Sequence, residues 1–366
     1  MDEKNNKTVL LEPSEHRIVA PRIFQDYIDT KPLASHMVST PVECSTTYDA
    51  RLWIDEHHFI IQSADNKVVN KLPHTPDDYW DTREQAPRHL DGTTLVLGAF
   101  GDFQYYHWLL DALPKIGLLD NAGIPMDDID HVVFREVSTE FHRETLRIVG
   151  VSDEKIVESI SNPRITCEKL LDIRMSNFVG MTMPRFVPDY IRRVVMESEL
   201  SPIETHKRIY IGRPRSLKRR GVANESELME LLSDYGFEHL EMENFTVRQQ
   251  AEIFNSAEVV MTPHGGALAN LVFCKPETKV FELFANHVFS YFYGLANLCE
   301  LDYTAVLKTP DQYERVVDPW AGNAVTDQHV TSKEQLIPVD LEHIESALVG
   351  NGLRKTEVSV SQSRAA

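Results

Sequence analysis

The sequence predicts an α/β fold built on parallel sheet. Short buried-strand runs such as TTLVLGAF, IDHVVF, RIYIGR, EVVMT and KVFELF alternate with segments whose apolar residues recur at helical spacing. Such alternation implies a parallel sheet with helices on both faces. Turn and capping signals stand at the joints. At roughly 100–200 residues per domain, the 366 residues make about two domains.

In chain order, residues 1–50 mix short apolar stretches with turn residues and impose no single fold. RLWIDEHHFIIQS (51–63) reads as strand material, and the Pro-, Asp- and His-rich 73–92 as a loop. A strand at 93–100, a helix over 104–122, a strand at 129–134 and a helix at 139–149 follow. Strands at 155–160 and 165–173 and helical spacing at 188–200 complete the first half. The second half repeats this grammar. Strand 208–213 precedes Asn224-Glu-Ser-Glu227, an amide cap with Glu at the third helical position. That helix runs to Tyr235 and stops at Gly236. Strand 237–242 leads to Thr246-x-x-Gln249, a second capping box opening helix 247–256. Strand 258–262, Pro263-His264-Gly265-Gly266 and the apolar helix ALANLVF come next, then strand 279–284, helix 287–299, a long polar loop and helix 338–349. The divisions are 1–203 (with 1–92 irregular and strand-rich), 204–335, a helix at 336–350 and a flexible tail at 351–366.

Composition narrows the function. Lys plus Arg is 37 and Asp plus Glu is 56, a net charge of −19. So acidic a surface has no overall positive field for nucleic acid or anionic lipid. A bound anion must find a local cluster of cations and N–H groups. The longest apolar runs fall well short of the ~20 residues that span a bilayer. The start, MDEKNNKTVLLEPSEH, lacks the apolar core of a signal peptide. Cys44, Cys167, Cys274 and Cys299 are widely spaced, with no C-x-x-C pair, so neither zinc nor a disulfide framework is expected. A cytoplasmic location is expected, with peripheral association at the inner membrane face through a partner left open.

Four groups of residues could carry chemistry. In EVVMTPHGGALANLVF a buried strand runs into Gly265-Gly266 and a helix begins there. Glycines allow close approach to the backbone, and a helix start offers N–H groups and partial positive charge to a phosphate. The same turn also serves plain packing. Arg213-Pro-Arg215-Ser-Leu-Lys218-Arg219-Arg220 places five cations in eight residues directly after a strand. Arginine matches phosphate bidentately, which favours anion binding over a solvated basic turn. Glu282, on its apolar strand, could hold a ribose diol or pair with one of those arginines. In YYHWLLDALP, His107 and Asp111 are four apart and share a helix face. Either could be a general base oriented by the other, or the helix could simply be aromatic packing. Asp128-Ile-Asp130 has the D-x-D spacing of some metal-dependent sugar transferases, but it precedes its strand instead of following it, so it reads as a loop.

Taken together and in this order, the motifs resemble glycosyltransferase family 61. The resemblance rests on YHWLLDALP (106–114), IYIGRPRSLKRRGVANESEL (209–228), GF (236–237), TVRQQAEIF (246–254), HGGALAN (264–270), the strand with Glu282 and the YFYGLA helix. It covers about 93–310. Gly266 stands where the family more often has Ala. The resemblance implies a GT-B architecture, two Rossmann-like domains facing across a cleft. The donor, a nucleotide-diphosphate sugar and in the first instance a UDP-sugar, would bind the C-terminal domain. The acceptor, a glycan or lipid-linked glycan, would bind the N-terminal one. It further implies inversion at the sugar carbon without metal or other cofactor, a role in capsular or exopolysaccharide synthesis, and contact with a membrane polysaccharide assembly complex. On this reading Asp111 and His107 are catalytic. Arg213, Arg219, Arg220, His264, Gly265, Gly266, Ala267 and Asn270 hold the diphosphate, and Glu282 the ribose. Two alternatives stand beside it: a nucleotide-sugar epimerase or hydrolase of the same architecture, and a non-catalytic nucleotide-sugar-binding protein.

Overall fold

A computed structural model describes residues 5–17, 22–24, 36–39, 41–98, 101–175, 183–198, 204–213, 221–284, 291–306 and 336–356. The chain forms two compact units. The first comprises Met1–Ile18, His36–Ser201 and Thr246–Ala251; the second comprises Val19–Ser35, Pro202–Phe245 and Glu252–Ala366.

The first unit holds an eight-stranded mixed sheet, ordered Ile156–Glu158, His131–Phe134, Arg88–Val96, Arg164–Arg174, Val42–Ile54, Phe59–Gln62, Val68–Lys71, with Asn5–Leu11 also on Val42–Ile54. The first four strands run parallel and the rest antiparallel. One of the antiparallel pairs, Val42–Ile54 with Phe59–Gln62, has a local cause. Asp55 accepts hydrogen bonds from the backbone N–H groups of His57 and His58 at 2.8 and 2.7 Å, closing a tight turn that forces its flanking strands antiparallel. Ala50, Leu52, Ile54, Ile61, Val96, Val133, Ile165 and Leu170 fill one core of this sheet. The 13-residue strand Val42–Ile54 arises partly in a stretch where sequence pattern imposed no fold. Arg88–Val96 begins inside the expected loop 73–92.

The second unit holds a six-stranded sheet in the order Glu238–Leu240, Arg208–Ile211, Val259–Pro263, Lys279–Leu283, Asp302–Val306, Arg22–Phe24. Every pairing is parallel. The last strand comes from residues expected in the N-terminal domain. Helices Glu225–Asp234 and Leu341–Gly350 cover Tyr210, Met261, Phe281 and Leu283 with Leu228, Leu232, Ile344, Ala347 and Leu348. Leu353, in the expected tail, belongs to the same core; 357–366 lie outside the described residues.

Three local expectations are corrected. The stretch 104–122 is not one helix: Tyr105–His107 is α, Trp108–Ala112 is π, and Pro114–Gly117 is α again. Pro114 has no N–H for the Leu110 carbonyl, and the Leu113 N–H bonds Trp108 five residues back at 2.9 Å. The segment after the glycines, Gly266–Phe273, is a 3₁₀ helix. Asn224 does not cap its helix; its amide bonds the backbone N–H and C=O of Val339, both at 3.0 Å. The Thr246–Gln249 box does form, with Thr246 N–H donating to Gln249 Oε1 at 2.9 Å and Gln249 N–H to Thr246 Oγ1 at 3.3 Å.

Candidate active site

The first-unit cluster is set by the π turn. Trp108 is fully buried, packs on Phe134 and His142, and donates Nε1–H to Thr145 Oγ1 at 2.8 Å. With Trp108 fixed, His107 and Asp111 meet at 2.6 Å, Nδ1 to Oδ2. Asp111 has 4% of its side chain exposed and His107 22%, so the ring is the accessible member of the pair. Burial pushes the Asp111 carboxyl up; the hydrogen bond from His107, and behind it the Lys115 charge, partly offset this. Gly101 supplies the space for the ring. Its φ of +77° is left-handed, and a Cβ there would stand 2.8 Å from His107 Cδ2.

Lys115 was not singled out by sequence reasoning. It lies four residues beyond Asp111, is buried, and donates to the Gly98 carbonyl at 3.1 Å. Burial pushes its pKa down, against the opposing pull of Asp172, Asp111 and Asp102. The signal that could have found it was a lysine at helical spacing inside an apolar run.

The second-unit cluster sits where the strand order turns back. Arg208–Ile211 has Glu238–Leu240 on one side and Val259–Pro263 on the other, so successive crossovers leave it in opposite directions. Open parallel sheets bind ligands at the carboxyl ends of strands beside such a reversal. Arg213 and His264 each follow one of these two strands. Arg213 donates from Nη1 to the His264 carbonyl at 2.9 Å. Gly265 has an extended backbone, φ 177°, so no left-handed conformation calls for glycine there. Close approach does: a Cβ on Gly265 would lie 2.2 Å from Arg213 Nη1. Gly266 and Ala267 open the 3₁₀ helix half-buried, and Asn270 is fully buried within it.

His264 is the hub of a buried chain. Its Nδ1 is hydrogen-bonded to Glu282 Oε1, and Tyr303 donates its hydroxyl to Glu282 Oε2 at 2.5 Å. Phe284 stacks on the ring at 5.6 Å between centroids and Phe292 meets it at 5.3 Å. The sequence pointed to a ribose or an arginine as the partner of Glu282; the structure places it wholly buried, between a histidine and a tyrosine. Tyr303 carried no sequence signal, since its partner lies on the neighbouring strand. Burial, and then the Glu282 charge, holds its hydroxyl well above the usual tyrosine range.

The structure thus brings His107 and Asp111 together in one unit, and Arg213, His264, Gly265 and Glu282 together in the other. Arg219 and Arg220, with Arg215 and Lys218, lie outside the described residues. Asp130 accepts the Thr93 N–H at 2.7 Å, a loop-closing role, and among the described residues no cluster of three or more His, Cys, Asp or Glu could hold a metal ion. All four cysteines are buried, and burial pushes Cys44 to about 11 and Cys167 to about 12, so neither is an activated thiolate. Among the described residues no helix is long and apolar enough to cross a membrane.

Residues 105–281 match the Glycosyltransferase 61 family. Shorter likenesses also occur. The hydroxymethylglutaryl-CoA synthase of Pyrococcus horikoshii is 29% identical over 91 residues, 25% of this chain and 24% of that protein. That of Pyrococcus furiosus is 25% identical over 114 residues, 29% of this chain and 30% of that protein. The chain spans less than a third of the length of these curated relatives. The family match takes in His107, Asp111, Arg213 and His264 through Asn270 and ends one residue before Glu282. Over residues 105–281, a little under half of its length, the chain is thus similar to glycosyltransferase family 61.

Proposed function

We propose that the protein is an inverting, metal-independent glycosyltransferase of GT-B type, acting in the synthesis of a capsular or extracellular polysaccharide. It moves a sugar from a nucleoside-diphosphate donor, a UDP-sugar in the first instance, to a glycan or lipid-linked glycan acceptor. The observation that carries this reading is the Arg213 guanidinium seated against Gly265 at the strand-order reversal, hydrogen-bonded to the His264 carbonyl.

In a single displacement the acceptor oxygen attacks the anomeric carbon and the bond from that carbon to the diphosphate oxygen breaks. The diphosphate leaves with the bonding electron pair, and the acceptor proton passes to a base. His107 is the better base of the pair. Its ring is the more exposed, and Asp111 holds it through Nδ1, so that Nε2 receives the proton while the carboxylate stabilises the imidazolium formed. Negative charge grows on the leaving diphosphate. Arg213, the His264 ring and the N–H groups opening Gly266–Phe273 provide fixed positive ends for it, the role a divalent ion plays elsewhere. Loss of one such preorganised donor typically costs roughly 2.7–4 kcal/mol in the transition state. Asn270 is assigned to fixing the turn. Arg219 and Arg220 are proposed to add charge to the same phosphates. Association with a membrane assembly complex from the cytoplasmic side is part of the same proposal.

The test is product analysis with a panel of nucleotide sugars, with and without glycan acceptors and with EDTA present. Sugar transfer that needs acceptor and survives EDTA is expected. Sugar release or isomerisation without acceptor would replace the reading with a hydrolase or epimerase. A strict Mn²⁺ requirement would remove the arginine-for-metal argument.

A further inference from the structure

The Tyr303–Glu282–His264 chain does more than fill a core. Three polar side chains from three neighbouring elements meet inside the unit: Tyr303 on Asp302–Val306, Glu282 on Lys279–Leu283, and His264 just beyond Val259–Pro263. A buried carboxylate costs free energy unless its oxygens are hydrogen-bonded, and here each takes one bond from a different partner. Nothing in the packing calls for an acid at this place. What the acid does is fix a ring. With Glu282 as acceptor, Nδ1 must carry the proton, and Nε2 is the ring nitrogen that Glu282 does not use. The ring is clamped between Phe284 and Phe292, and the His264 backbone is held from the other end by Arg213. His264 keeps 10% of its side chain exposed while Glu282 keeps none, so a ligand meets the histidine and not the acid.

We propose that Glu282 is a positioning residue, not a ribose ligand: with Tyr303 it sets the tautomer and plane of His264, whose Nε2 then meets the diphosphate. The proposal rests on the donor-site reading above and replaces the ribose role that the family resemblance implied for Glu282. A neutral Nδ1–H imidazole would present a lone pair to the phosphate. A ring with both nitrogens protonated presents Nε2–H, which donates to a phosphate oxygen. Among the described residues, the charged and titratable groups near the ring include Glu282, Tyr303 behind it, Arg213 at the His264 carbonyl, and Tyr291 and Tyr293 from helix Tyr291–Leu298.

The experiment uses the full chain with two probes, UDP and inorganic pyrophosphate, and the variants Glu282→Gln, Tyr303→Phe and His264→Ala. A positioning residue weakens both probes: Glu282→Gln is expected to cost about tenfold for each, and Tyr303→Phe less. In the His264→Ala background, Glu282→Gln is expected to cost nothing further. If Glu282→Gln weakens UDP and leaves pyrophosphate unchanged, or costs the same with His264 absent, Glu282 touches the nucleoside and the proposal is overturned. Should Glu282→Gln fail to fold, Tyr303→Phe answers the same question. Nitrogen-15 spectra of the unliganded wild-type ring give an independent arm, with a proton on Nδ1 expected and an Nε2–H tautomer refuting. If the wild-type protein binds neither probe while the ring has the expected tautomer, the donor-site reading falls, and with it the ligand contact proposed here. The ring's hydrogen-bonding pattern would still stand.

Discussion

Gly265→Ala isolates the donor site from the fold. The backbone at 265 is extended, a conformation alanine adopts without strain, so the added methyl acts only through what it touches. It would stand 2.2 Å from Arg213 Nη1. A van der Waals contact between such atoms needs about 3.5 Å, so the guanidinium must retreat by about 1.3 Å. That distance breaks the 2.9 Å bond to the His264 carbonyl. Because the displaced group is the end of a flexible side chain, the fold loses about 1 kcal/mol, a fall of about 2–4 °C in melting temperature. The site loses more. A charge-assisted hydrogen bond to phosphate is worth roughly 1.5–3 kcal/mol, so UDP should bind roughly ten- to a hundredfold more weakly by calorimetry. In an Arg213→Ala background the alanine at 265 should cost nothing further. A folded Gly265→Ala protein that binds UDP at full affinity would refute the reasoning.

Other outcomes follow from the first unit. Gly101→Ala should lower stability by roughly 1–2 kcal/mol, since L-residues pay that to enter the left-handed region, and it should slow transfer, because the new Cβ would crowd His107 at 2.8 Å; urea melts and initial rates check both, and unchanged values contradict the packing described. Asp111→Asn should cut turnover at least a hundredfold with donor binding intact, and near-wild-type turnover would exclude Asp111 from orienting the base. The same variant reports on burial. The folded carboxyl titrates above 3.8, so between that value and the folded pKa the native state binds more protons than the unfolded one. Wild-type stability relative to Asp111→Asn should therefore fall as pH rises above 3.8; a difference that is flat or rises with pH would contradict it.

The second unit was legible because its signals are local. Hydrophobic runs and the glycines after Pro263 each act within a few residues, and strand–helix alternation fixes parallel pairing. What sequence could not show were consequences of distant pairing. The strand Arg22–Phe24 pairs with Asp302–Val306 across most of the chain. Val42–Ile54 owes its length to neighbours on both edges, Arg164–Arg174 on one and Asn5–Leu11 with Phe59–Gln62 on the other. His107 and Asp111 could be paired from their spacing, since a helical turn and the π turn here both bring residues four apart together. Glu282 could be noticed as an acid in an apolar strand, but its partners lie on adjacent strands whose register no local pattern states. The π turn at Trp108–Ala112 had a visible cause in Pro114, and its effect on the geometry had to be seen.

On the proposed function, cationic and N–H groups of the second unit receive the departing diphosphate. A crystal structure of the protein with UDP tests it most directly. Both phosphates are expected within hydrogen-bonding distance of Arg213, the His264 ring and the backbone at Gly265–Ala267. Phosphates bound away from those residues would contradict it.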